Sequence, residues 1–264
     1  MGIDFSLETL RLVIFIGALL SFSGLEALLP RKTRTSTRRR RWPTNLAFAL
    51  INTAALQLLV PLAAVGTAAW ASQTGFGLFN NINISTAISA LVSIILLDAA
   101  LYWQHVATHK IPILWRLHKV HHTDRDLDAS SGIRFHPVEI VLSMAFKMLI
   151  VAGLGVSVMA VIIFEIILNA CALFNHANIR LPSKIDAVMR VFIATPDYHR
   201  VHHSAVEDET NSNYGFSLTL WDRVFGTYKP QPKAGHDNMV IGLAQHQNTG
   251  PTRLLWSLAL PFKR

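Results

Sequence analysis

Eight of the twelve histidines of this chain fall in three clusters, His105 and His109, then His118, His121 and His122, then His199, His202 and His203, in the patterns HxxxH, HxxHH and HxxHH. Residues three or four apart share a helix face, so each cluster can aim several imidazoles at one point. Imidazole suits zinc, copper, iron and nickel, and three clusters supply more nitrogens than one four-coordinate ion accepts. The pattern points to a polyhistidine site for two metals. Cys171 is the only cysteine, so no intramolecular disulfide or multi-cysteine zinc site can form and histidine must carry the metal chemistry. His176, in NHANIRLP, stands where a membrane hairpin should emerge and is a further candidate ligand. His136, in RFHPVE, is expected behind the ligands, whereas His236 and His246, in a polar tail, are expected not to be ligands, each being a surface group or a hydrogen-bonded core residue.

The elements that must position these side chains are membrane helices. Of 264 residues, 51% are hydrophobic and only 15% charged, far from an ordinary soluble domain. Apolar segments at about 10–29, 46–71 and 84–103 approach or exceed the roughly 20 residues needed to span hydrocarbon. The third is interrupted by Asp98 and leads directly to His105. A fourth apolar region, 138–174, is too long for one span, and Gly153, Gly155 and Ser157 in its middle predict a bend that returns His176 to the side of the other histidines. The expected fold class is an all-α integral membrane protein with about four transmembrane helices, two of them a hairpin. A helical cytoplasmic cap holds the dimetal site. A single domain is expected over 1–264, with a core motif region at 98–228, N-terminal helices at 10–29 and 46–71, and a polar tail at 229–264.

Charge gives the orientation. The run RKTRTSTRRRR from Arg31 to Arg41 holds seven basic residues and no acid, nearly the whole of the net +8. A short basic loop between two spans is the positive-inside signal, whereas a nucleic-acid reader needs its charge on a folded reading surface. The arginines could also hold anionic lipid headgroups. With this loop cytoplasmic, the N-terminus lies on the opposite side and every histidine cluster is cytoplasmic. The start, MGIDFSLET, has no basic residue and so lacks the positive region of a cleaved signal peptide.

Common catalytic signatures are absent: there is no GxGxxG, GxxxxGK[ST], GxSxG, HExxH or CxxCH. The order HxxxH, HxxHH, hairpin, NHAN, then DYHRVHHS and NYGFSLTLWDRVFGTY resembles the fatty acid hydroxylase and sterol desaturase superfamily over about His105 to Tyr228, with Asp98, Tyr102 and Trp103 upstream. The stretch from His199 to Tyr228 is somewhat closer to the branch containing alkylglycerol monooxygenase and related bacterial proteins. The resemblance implies an integral membrane di-iron oxygenase that uses oxygen and two electrons to hydroxylate or desaturate an alkyl chain. Carried over by position, the ligands are His105, His109, His118, His121, His122, His199, His202 and His203, with His176 from the hairpin exit. Some members place a second histidine four residues before that one, where this chain has Ala172, so water, Asp197 or His136 would complete the second metal. Asp98, His136 and Asp197 are the first candidates to orient the imidazoles, with Asp124, Asp126, Glu139 and Asp222 also near in sequence; most of these acids are expected to be caps or surface charges.

An unactivated C–H bond offers neither an acidic proton nor a leaving group, so acid–base residues cannot break it and a metal-bound oxidant is needed. Two irons can share the electron load, and an apolar cavity between the helices would hold the lipid chain. The reading is an oxygen-dependent lipid hydroxylase with an external electron donor, either a protein or a pterin-like reductant, and no nucleic-acid partner. A desaturase with the same site is the alternative within oxidoreductases. A zinc-dependent membrane hydrolase and a non-catalytic metal-binding membrane protein are the alternatives outside it.

Overall fold

The computed structural model describes residues 7–60 and 62–263. Seven helices build the bundle: α1 (Leu7–Leu28), α2 (Arg38–Leu59), α3 (Ala63–Thr74), α4 (Thr86–Lys110), α5 (Pro112–His122), α6 (Pro137–Leu154) and α7 (Val158–His176). Shorter helices follow, among them α8 (Ser183–Met189) and α9 (Pro196–His202), and the described residues contain no strand, only isolated bridges. The starts are written locally. Pro112, Pro137 and Pro196 open α5, α6 and α9, where a missing N–H costs nothing. Ser85 and Ser157 accept from Ile88 N and Ala160 N to cap α4 and α7.

Among the described residues, five stretches are long and apolar enough to cross a membrane: Thr9–Leu28, Arg38–Asn80, Thr86–Lys110, Pro137–Leu154 and Val158–His176. The count is one above the expected four, because all three N-terminal apolar segments and both helices of the hairpin, at 18 and 19 residues, are long enough to span. The second apolar segment is also not one helix. It ends at Leu59, and Val60, before Pro61, leaves helical space at φ −137°, ψ 60°. The hairpin bend falls where Gly153 to Ser157 predicted it. Gly155 adopts φ +68°, and Gly77 packs so close that a Cβ there would lie 2.3 Å from Gly155 N. This contact fixes the hairpin tip against the turn after α3, at the end of the bundle away from the histidines.

At the other end the pieces are bolted together by polar bonds. The Arg31 backbone N–H donates to the Asn178 carbonyl at 3.0 Å, tying the segment after α1 to the exit of α7. The tail, expected to be merely polar, returns to pack: Leu260 joins Phe48 and Val120 in a buried cluster, with Trp256 against it.

Candidate metal centre

All nine predicted histidines converge. One group comprises His105, His109, His118, His122 and His202, the other His121, His176, His199 and His203, with the nitrogens of each group within 4.8 Å of one another. The groups adjoin, since the His122 and His203 rings stack at 4.4 Å between centroids. α4 supplies the first cluster from its last two turns, α5 the second, the end of α7 His176, and α9 with its C-cap the third.

The ring orientations carry the chemistry. Nδ1 of His105, His121, His176 and His202 faces the carbonyls of Tyr214, Arg134, Ala172 and Ser212 at 2.7, 3.1, 2.7 and 2.7 Å. A carbonyl only accepts, so each of these Nδ1 atoms donates and the Nε2 lone pair is left bare. Yet the Nε2 atoms of His121 and His176 stand 3.0 Å apart, and those of His105 and His118 3.2 Å apart. Two bare lone pairs at that distance repel unless a cation lies between them. His122 Nε2, His202 Nε2 and both ring nitrogens of His109 are buried with no hydrogen-bond partner. Convergent, deprotonated imidazoles backed by carbonyls are the donor set of a metal site.

Burial and the neighbouring imidazoles hold His121, His122, His199 and His203 well below the ordinary histidine value of 6.5, and burial pushes His202 down to about 3. The folded state therefore refuses protons that the unfolded state takes up below 6.5. Stability is full above that value and is lost as the pH falls toward the folded values. Thermal denaturation of the metal-stripped protein in detergent, from about pH 8 down to about pH 5, is expected to show a falling midpoint.

A cavity of about 500 Å³ opens beneath the first group, lined by His105 and His118 at one end and by Leu12, Phe15, Leu56 and Leu168 along its sides.

Residues 90–227, just over half of the chain, match the family described as fatty acid hydroxylase. The chain belongs to the fatty acid hydroxylase family. It is 24% identical to ornithine lipid hydroxylase OlsE of Rhizobium tropici over 96% of this chain and 75% of that protein. It is 27% identical to human alkylglycerol monooxygenase over 58% of this chain and 32% of that one. Mouse lathosterol oxidase matches at 28% over 58% of this chain and 49% of its own length. The chain thus spans about three-quarters of the ornithine lipid enzyme but only about a third of the alkylglycerol enzyme. No solved structure matches it. The relatives are hydroxylases, monooxygenases and a sterol oxidase, and this family member is an oxidoreductase.

The rest of the family motif is scaffold for these rings. The Asp222 carboxylate accepts from the backbone N–H groups of Tyr214 and Gly215, both at 2.8 Å, from Thr227 Oγ1 at 2.6 Å and from the Tyr198 hydroxyl. It thereby fixes the loop whose Tyr214 carbonyl orients His105. Asn213 sits at φ +52°, and a Cβ on Gly215 would come within 2.4 Å of the Leu218 carbonyl, which accounts for the NYG triplet. Gly132 plays a similar part, since a Cβ there would approach the Ala172 carbonyl, the acceptor for His176, to 2.5 Å. Glu139, at the start of α6, has its Oε1 2.5 Å from His118 Nδ1.

Of the candidates to orient the imidazoles, Glu139 and Asp222 are in place, whereas Asp98, His136 and Asp197 are engaged elsewhere. Asp98 accepts from Trp221 Nε1 at 2.8 Å and bolts α4 to the segment before the family motif ends. His136 caps α6, accepting from Val138 N, with its Nε2 3.3 Å from the Leu258 carbonyl. Asp197 pairs with Arg31 at 3.0 Å and faces Arg200. None of the three is among the partners found for the nine rings. Glu139 and Asp222 are both legible in the sequence only as acids near the clusters; backbone carbonyls, which do most of the orienting, leave no side-chain signal at all.

The basic run is a latch. Arg34 and Arg38 pair with buried Glu26 at 3.0 and 2.6 Å. Arg41, 2% exposed, clasps Asp124 through two bonds of 2.7 Å and reaches Asp128 at 2.6 Å. Burial alone would raise the Asp124 carboxyl, but Arg41 outweighs it and holds Asp124 well below the usual carboxylate range. Arg39 and Arg40 remain exposed.

Proposed function

We propose that this protein is an oxygen-dependent lipid hydroxylase whose two histidine groups hold two iron ions, one in each. The observation that carries the reading is the set of Nε2 lone pairs turned toward one another by acceptors behind the rings. When bound, the irons, with O2 and two electrons, supply the oxidant that an unactivated C–H bond requires. Asp197 is engaged by Arg31 and His136 caps α6, so the four histidines would hold their iron without either. The protein's own contribution is positional. Carbonyls and Glu139 hold the rings, eight of the nine of which are buried, and the cavity would present a lipid to His105 and His118. Family membership and the names of the relatives support lipid oxidation over hydrolysis.

The unit is a single membrane-embedded domain over 1–264. Exposed Arg39 and Arg40 support a cytoplasmic histidine end, with the N-terminus opposite and the reductant arriving from the cytoplasm. Desaturation is the second reading, supported by the sterol oxidase relative. Protein loaded with iron or with zinc, given a reductant and mixed lipids under air, separates these readings. Iron-dependent gain of one oxygen by a lipid supports the hydroxylase, and loss of two hydrogens the desaturase. Equal change with zinc and without oxygen overturns both.

Glu139→Gln keeps the shape but removes the charge behind His118. Metal affinity of the five-histidine group is expected to fall about 10- to 100-fold, read by chelator competition. Unchanged competition would remove Glu139 from the site's support.

A further inference from the structure

The cavity beneath the histidines is mainly apolar, with Asn52, Gln104, Ser143 and Asn169 among its polar lining, and is charged at its far end. Glu165 on α7 accepts from Lys147 Nζ of α6 at 3.0 Å and from the Arg11 guanidinium of α1. The Glu165 and Lys147 side chains are 7% and 10% exposed, and that of Arg11 33%. All three line the cavity. Ionised groups at membrane depth are expensive, and those that persist face one another or a functional cavity. A helix clamp needs one cation and one carboxylate. Here two cations share one carboxylate, leaving a positive charge unmatched among the described side chains around that end. The other acid of the cavity, Glu139, is engaged at the opposite end by His118.

We propose that Lys147 and Arg11 bind an anionic oxygen group of the lipid substrate, a carboxylate or a phosphate, and so fix which C–H bond faces His105 and His118. The inference rests on the lipid hydroxylase reading and names the chemistry of its substrate. Lys147 follows Glu139 by eight residues on α6, which places the anchor about 12 Å along the helix from the level of His118. The apolar side chains between accommodate the hydrocarbon part, and the fixed separation makes the position of attack a property of the protein rather than of the lipid's length.

Binding is measured without oxygen, on the full chain as isolated in zwitterionic nanodiscs, so the outcome is independent of whether the protein oxidises anything. The probes are palmitate against hexadecanol, and a phosphatidylglycerol against the matching diacylglycerol. One anionic probe is expected to bind about tenfold or more tighter than its neutral counterpart, as for a hydrogen bond to a charged group. A preference for palmitate identifies a carboxylate, and one for phosphatidylglycerol a phosphate. Lys147→Gln should erase the preference and Lys147→Arg keep it, with Arg11→Gln as the second variant where Lys147→Gln does not fold. Equal binding within both pairs, or a preference unchanged in the glutamine variants, overturns the proposal.

Discussion

Alanine at His121 or at His202 is expected to remove one bound metal and abolish turnover, while alanine at His246 does neither. The two lesions fall in different groups, His202 among the five and His121 among the four, so each should leave the other metal in place. Truncation removes a donor and leaves a void that water fills without the imidazole's orientation, and chemistry that needs both metals is lost whichever is missing. His246 belongs to neither group and meets Trp256 edge-to-face in the tail, with ring centroids 5.2 Å apart. Metal content by elemental analysis, beside turnover, reads the result. Equal effects from all three substitutions would break the assignment of ligands to groups.

Arg41→Ala is expected to destabilise the protein by on the order of 3–5 kcal/mol, the cost of stranding a buried charge that has lost its partner. Asp124 and Asp128 would remain in the interior with only neutral donors, Asn45 and Ser131 on the first and Ser130 and Trp42 on the second. The damage should reach the metal centre, because Asp124 follows His122 by two residues and the Ser131 turn leads directly to Arg134, whose carbonyl orients His121. Arg39→Ala, on an exposed side chain, should leave stability within a few tenths of a kcal/mol. Thermal denaturation of both variants in detergent tests the pair. A second comparison separates latch from topology: neutralising Arg39 and Arg40 together should perturb orientation in the membrane more than stability. Matching losses from Arg39→Ala and Arg41→Ala would return the whole run to a diffuse charge effect.

Much of the site was legible because its information is local. HxxxH and HxxHH on helices fix which rings share a face before any tertiary contact is known, and nine of nine predicted histidines meet in the two groups. The hairpin was legible through Gly153 and Gly155 and through the polar break at Ser157. What supports the rings was less so. Tyr214, Arg134, Ala172 and Ser212 act through their carbonyls, which any residue possesses. Asp98 drew attention as a carboxylate within an apolar span, but its partner is the Trp221 indole, more than a hundred residues away. Periodicity also overstated the second apolar segment, since hydropathy continues across the break that ends α2 at Leu59. The basic run read correctly as local charge, yet half its function depends on acids in the second histidine region and in α1 that only the fold brings near.

The most direct measurement supplies the iron-loaded protein in lipid with a reductant and oxygen-18 gas, and follows the lipid by mass spectrometry. The expected result is a lipid that gains one oxygen-18 atom, in amounts that track iron occupancy and vanish in His121→Ala and His202→Ala. With iron bound and reduced, and with carboxylate- and phosphate-bearing lipids both offered, a lipid pool that gains no label and loses no hydrogen would contradict it.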